Sequence, residues 1–129
     1  MTVSGCAAAA EYACPAKTRL EGAPKVPADG VWSGVFSSSP IWLSGVSLFD
    51  GPPAELASLK PDSVQETKGD SVFVWKLTAT YPAGIWISCR YGDGLVSLAQ
   101  RVATPVSACR ASTKKDNSIG RLGIVVRCE

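Results

Sequence analysis

Cysteine and carboxylate are the side chains most able to carry chemistry here, because the chain has no histidine. Five cysteines stand at Cys6, Cys14, Cys89, Cys109 and Cys128. None forms the Cys-x-x-Cys pair of a redox centre, and none is clustered as metal ligands usually are. Scattered cysteines in a small chain read instead as the disulfide framework of an exported protein. Without histidine the commonest general base near neutral pH is missing, and so is the usual partner of a serine or cysteine nucleophile. The carboxylate options are Asp50 with Glu55, Asp62 with Glu66, and Asp93 alone. Glycoside hydrolysis needs two such groups facing each other across a cleft. Asp50 and Asp93 each lie beside glycine, where turns favour aspartate for backbone reasons. Ser112-Thr113-Lys114-Lys115 has the Ser-x-x-Lys spacing of penicillin-binding enzymes, but the companion Ser-Asp-Asn and Lys-Thr-Gly elements are missing. The expectation is a protein that is not an enzyme, takes no metal and no cofactor, and acts by shape.

Length and composition fit that expectation. A chain of 129 residues is one domain with room for a sizeable core. With 46% hydrophobic and 19% charged residues it is not disordered. Thirteen basic against eleven acidic residues give a net charge of +2, too balanced for nucleic acid. No apolar run is long enough to span a bilayer. At the N-terminus, Ala7-Ala8-Ala9-Ala10 fits the small-residue zone before a signal peptidase cut, and Val3-Ser4-Gly5-Cys6 resembles a lipobox. Residues 1–13 are therefore expected to be the flexible remnant of a signal or lipobox region, with Cys6 removed or lipidated. Residues 14–129 are expected to form a single β domain. Cys14, Cys89, Cys109 and Cys128 then supply two bridges. Four cysteines allow three pairings, which sequence alone does not decide. The favoured one is Cys89–Cys109, closing a local loop, with Cys14–Cys128 tying the ends of the domain.

The elements that must position these residues are mainly strands. Phe73-Val74-Trp75-Lys76-Leu77-Thr78-Ala79 puts Phe73, Trp75, Leu77 and Ala79 on one face with the period of two of a strand. After Tyr81-Pro82-Ala83-Gly84, Ile85 to Tyr91 repeats the pattern with Ile85, Ile87, Cys89 and Tyr91 inward. Gly92-Asp93-Gly94 leads to a third strand over residues 95–102, so loop lengths predict an antiparallel meander. Shorter strands are expected over residues 17–20, 64–67 and 106–110, and longer ones over 41–49 and 123–128. Gly45 marks a bulge or bend in the first of the longer strands. Residues 54–59 read as one helical turn. Residues 22–30 and 37–40 read as irregular loops, and residues 112–120 as a polar, mobile one. The fold class is an antiparallel sheet or meander forming a small sandwich or open barrel, with little helix.

The chain has four tryptophans, Trp32, Trp42, Trp75 and Trp86. Trp75 falls on the core face, whereas Trp86 and Arg90 share the opposite face of their strand and make a credible recognition patch. The loop Ser37-Ser38-Ser39 running into Trp42, the turn at residues 81–84 and residues 113–120 are the candidate insertions into a partner. Cys14-Pro15, Phe49-Asp50-Gly51-Pro52-Pro53, Leu59-Lys60-Pro61-Asp62, Trp75, and Cys89-Arg90-Tyr91 followed by Cys109 together resemble a family of small exported bacterial proteins. Some members of that family occur near type VI secretion loci. The resemblance implies a periplasmic immunity protein that blocks a peptidoglycan amidase effector by plugging its cleft. The alternatives are an inhibitor of host lysozyme, against which the net positive charge counts, and a non-catalytic envelope protein whose tryptophans hold a sugar or lipid. The oligomeric state is open, a homodimer included.

Overall fold

Alternating apolar and polar residues, rich in β-branched and aromatic types, drive this chain into strands that each bury one face. The computed structural model describes residues 9–36, 38–116 and 121–129. In chain order the strands are β1 (Ala10–Ala13), β2 (Lys17–Thr18), β3 (Ile41–Asp50), β4 (Ser58–Leu59), β5 (Ser63–Thr67), β6 (Asp70–Lys76), β7 (Ile85–Tyr91), β8 (Val96–Arg101), β9 (Ala108–Asp116) and β10 (Arg121–Cys128). A short 3-10 turn, Pro53–Glu55, precedes β4. One sheet runs β1-β10-β9-β6-β5; the other runs β2-β3-β7-β8, with β4 also on β3. All pairings are antiparallel. The two sheets form an open sandwich rather than a closed barrel.

The core lies between the sheets. Leu48, Ile85, Ile87 and Tyr91 of the second sheet are at most 1% exposed, as are Cys109, Ala111, Val126 and Cys128 of the first. The inward set anticipated for residues 85–91 is therefore the observed one. Gly45 does mark a bulge: the β3–β7 register shifts between Leu43 and Gly45. The displaced Ser44 uses its hydroxyl on both sides, donating to the Arg90 carbonyl and accepting from the Asp93 N–H, each at 3.1 Å.

Four expectations are corrected. The three-stranded meander of residues 73–79, 85–91 and 95–102 forms only in its second half: β7 pairs with β8 as expected, but β6 pairs with β5 and β9 and not with β7. The eight residues 77–84 do not close a hairpin. They are long enough to cross the roughly 10 Å between packed sheets. Residues 112–116 are not loop but the end of β9, since Ala111 and Thr113 point inward and small or β-branched residues suffice for a strand there. The rest of that segment, residues 117–120, lies outside the described residues, as do Cys6 and Ser37. Ala10–Ala13, assigned from sequence to the flexible lead, pairs with β10.

The fourth correction concerns the cysteines. The bridges are Cys14–Cys89 and Cys109–Cys128, not Cys89–Cys109 and Cys14–Cys128. Register dictates this. Cys109 and Cys128 are direct cross-strand partners on β9 and β10, with Cα atoms 4.1 Å apart. Cys89 lies in the other sheet and meets Cys14 just past β1, at a Cα separation of 5.8 Å. The segment around Cys14 passes from one sheet to the other. Tyr91 donates its hydroxyl to the Pro15 carbonyl at 2.8 Å, and the Leu43 N–H reaches the Ala16 carbonyl at 3.0 Å.

Two predictions follow from this crossing. In the chain-entropy model, closure over 75 residues stabilises by about 4.5 kcal/mol and closure over 19 by about 3.3 kcal/mol. Urea unfolding should therefore show Cys14→Ser/Cys89→Ser losing more than Cys109→Ser/Cys128→Ser, and non-reducing peptide mapping should recover only the two native pairs. Burial raises the Tyr91 pKa above its ordinary 10.0 by desolvating the phenolate. The folded state thus holds its proton where the unfolded chain has lost it, so this contribution is intact below pH 10 and is lost as pH climbs above that. Tyr91→Phe should lower stability at pH 7 by about 1 kcal/mol through the lost bond to Pro15, and should flatten the decline in stability above pH 10.

Candidate functional site

β3 has a neighbour along only part of one edge. On the side away from β7, β2 covers Ile41 and Trp42, and β4 covers Leu48 and Phe49. No described strand pairs with residues 44–47 on that side. A groove of about 530 Å³ opens here between the two sheets. Its walls are residues 44–47 and Arg90 on one side, and Ser58, Leu59, Lys60 and Pro61 on another. Phe73, Trp75, Thr113 and Leu122 of the first sheet complete the lining. The Trp75 indole N–H donates to the Leu59 carbonyl at 2.9 Å, which fixes the β4 wall against the opposite sheet.

Arg90 is placed by a glycine. It lies opposite Gly45 in the β3–β7 register, and its guanidinium rests where a side chain at Gly45 would stand. A Cβ there would be 3.0 Å from the guanidinium carbon. Crossing β3 over this gap, Arg90 donates to the Val46 carbonyl at 3.3 Å. The Asp50 N–H bonds the Ala57 carbonyl on the β4 side. By the two-residue alternation of a ladder, Leu48 and Val46 also direct their backbone groups to that side. Arg90 therefore occupies a carbonyl at an open sheet edge.

A second surface lies in residues 19–36, which have no strand or helix. Asp29 accepts the Val31 N–H at 3.0 Å, a local turn that presents the following residues. Val31 is 77%, Trp32 67% and Val35 85% exposed. The loop folds back at Gly34, where Pro24 and Val26 come within 3.0 and 3.2 Å of a Cβ position. The sequence shows these residues only as apolar pairs between turn formers. The signal for a contact surface is their bulk within a segment carrying Pro24, Pro27 and Gly30, which no strand or helix can bury.

The structure separates the residues expected to bind a partner. Ser38 and Ser39 are exposed at the end of this loop. Trp42 is half-buried, with the Arg121 guanidinium 3.2 Å and the Lys17 ammonium 5.5 Å from its ring centroid. Trp86 stands beside Phe49 and Arg101 and donates to the Ala83 carbonyl at 3.3 Å, outside the groove lining. Of these only Arg90 reaches the groove, joined there by Thr113 from the start of the expected insertion at residues 113–120. Lys60, Phe73 and Leu122 were not singled out from sequence, because they come from three separate strands or their ends. Of the carboxylate candidates, Asp62 accepts the Lys76 N–H at 2.6 Å, and Asp93 sits at φ 55° in the turn before β8.

Residues 38–129 match the family of the type VI secretion system Tli immunity protein, and the chain belongs to that family. No curated protein and no solved structure matches it. The match covers the whole groove, whereas Val31, Trp32 and Val35 precede it.

Gly45→Ala should fold, displace the flexible Arg90 tip and cost about 1 kcal/mol for the lost bond to Val46. Arg90→Ala should cost a similar amount. The double variant should fall well short of the sum, because both remove one interaction; thermal unfolding of the four proteins measures this coupling.

Proposed function

From its membership of the Tli immunity family, we propose that this protein is a periplasmic immunity protein that binds a type VI secretion effector and occludes its active-site cleft. The observation that carries this reading is the exposed apolar strip of Val31, Trp32 and Val35. Large apolar side chains grouped on a surface mark a protein contact, and tryptophan is the commonest anchor of such contacts. The loop that carries the strip is tethered at both ends, by β2 and β3, to a sandwich held by two disulfides, so the scaffold beneath it needs no ordering when it docks. Disulfides also favour an oxidising compartment such as the periplasm. Ser38 and Ser39 extend the strip as adaptable polar contacts, and the groove containing Arg90 adds a second contact. The amidase class of the effector is carried by the sequence resemblance alone. Because the strip lies outside the residues matched to the family, it is the place where this chain would choose its own partner.

Trp32→Ala/Val35→Asp should leave the melting temperature within a degree or two, since neither side chain is in the core. The same variant should weaken effector binding by roughly thirtyfold, about 2 kcal/mol. Calorimetric titration of the effector against both proteins measures this. A peptidoglycan digestion assay with added immunity protein tests the enzyme class. If the bound effector cuts some other envelope bond, the amidase assignment fails and inhibition stands. If the wild-type protein neither binds nor inhibits the effector, the whole reading fails.

A further inference from the structure

The groove carries a more specific reading, which deepens the proposed function and rests on it. We infer that the open edge of β3 receives an extended, carboxylate-bearing segment of the effector, which adds as a short strand between β2 and β4. The stretch from Trp42 to Leu48 leaves room for about four residues at roughly 3.3 Å each. An edge strand offers unpaired backbone groups to an incoming chain, and alternate side chains of that chain then fall into pockets. Here Val46 faces the edge. The pockets have an apolar floor formed by Phe73, Trp75 and Leu122.

Charge selects the kind of segment. The charged residues lining the groove are Lys60 and Arg90, both basic. Among the described residues neither has a carboxylate partner. An acidic side chain arriving at the groove meets two cations with no competitor. The Arg90 contact defines an exchange: the guanidinium releases the Val46 carbonyl to the N–H of the incoming strand and takes the carboxylate instead. Until then it occupies the carbonyl and guards the edge against unselective pairing. A basic segment would gain no such exchange and would be repelled.

The test uses a defined probe and does not need the effector. Acetyl-Val-Glu-Val-Glu-Val-amide, titrated to millimolar concentration into isotope-labelled protein, should shift the Val46 amide and Trp75 indole signals saturably. The matching peptide with lysine in place of glutamate should not. Arg90→Glu/Lys60→Glu should weaken the glutamate peptide by roughly tenfold. Both residues are exposed, and a dispersed spectrum verifies folding; Arg90→Gln/Lys60→Gln serves if charge reversal disturbs it. No saturable shift at Val46, equal shifts from the lysine peptide, or indifference to the substitutions would each overturn the inference. Any of these leaves effector binding through the Trp32 strip intact, whereas failure of the wild-type protein to bind the effector removes both.

Discussion

The passage of residues 10–18 from one sheet to the other is the constraint on which the rest of the molecule depends. β1 belongs to the first sheet and β2 to the second, and between them Cys14 is bonded to Cys89. Apolar contact alone is non-directional and leaves packed sheets free to slide. The covalent bridge, the Tyr91–Pro15 bond and the Leu43–Ala16 bond remove that freedom at one place. Further along β3, the Trp75 indole holds β4 to the first sheet. The groove lies between these two ties, so its width is set by hydrogen bonds and a disulfide rather than by loop conformation.

Much of the fold is legible in the sequence where burial is one-sided. Residues 85–91 alternate cleanly because every inward residue is buried against the opposite sheet. β9 is hidden because its inward residues, Ala111 and Thr113, are small or polar, and its run of Ser112 to Asp116 has the composition of a loop. That single misreading also hides the Cys109–Cys128 pair, which is visible only when β9 and β10 are set in register. The meander fails for a different reason: loop length separates a hairpin from a long link, but does not say to which sheet the link leads. Arg90 is legible as an outward cation of its strand and Gly45 as a bulge in another, but their meeting across β3 and β7 is not. The groove is not, because Phe73, Leu59, Arg90 and Leu122 meet only through tertiary pairing.

Gly45 illustrates how one residue serves fold and site together. As a bulge it lets β3 bend while keeping Val46 and Leu48 inward. Lacking a Cβ, it also lets the Arg90 side chain lie across the strand. Open edges invite unwanted pairing, and natural sheets protect them with charge and bulges. Both devices are present on β3 at the same point. Protection of this kind is reversible, since a guanidinium held by one long bond is more easily displaced than a paired strand.

An immunity protein must bind its effector tightly and yet not self-associate when alone, and these demands conflict at an apolar surface. This chain divides them. The Trp32 strip is exposed but short, and it sits on a loop whose backbone is not a strand edge, so it offers little to a second copy of itself. The open β3 edge offers backbone groups but screens them with Arg90 and the neighbouring Lys60. The strip has apolar area but no edge, whereas the groove joins a free edge to an apolar floor, the combination that drives aggregation, and there the two cations stand over it. A partner presenting both an apolar cleft and an extended acidic segment would engage both together, and the two disulfides brace the scaffold that carries them. On the proposed reading, partner specificity would come from engaging two individually modest contacts at once.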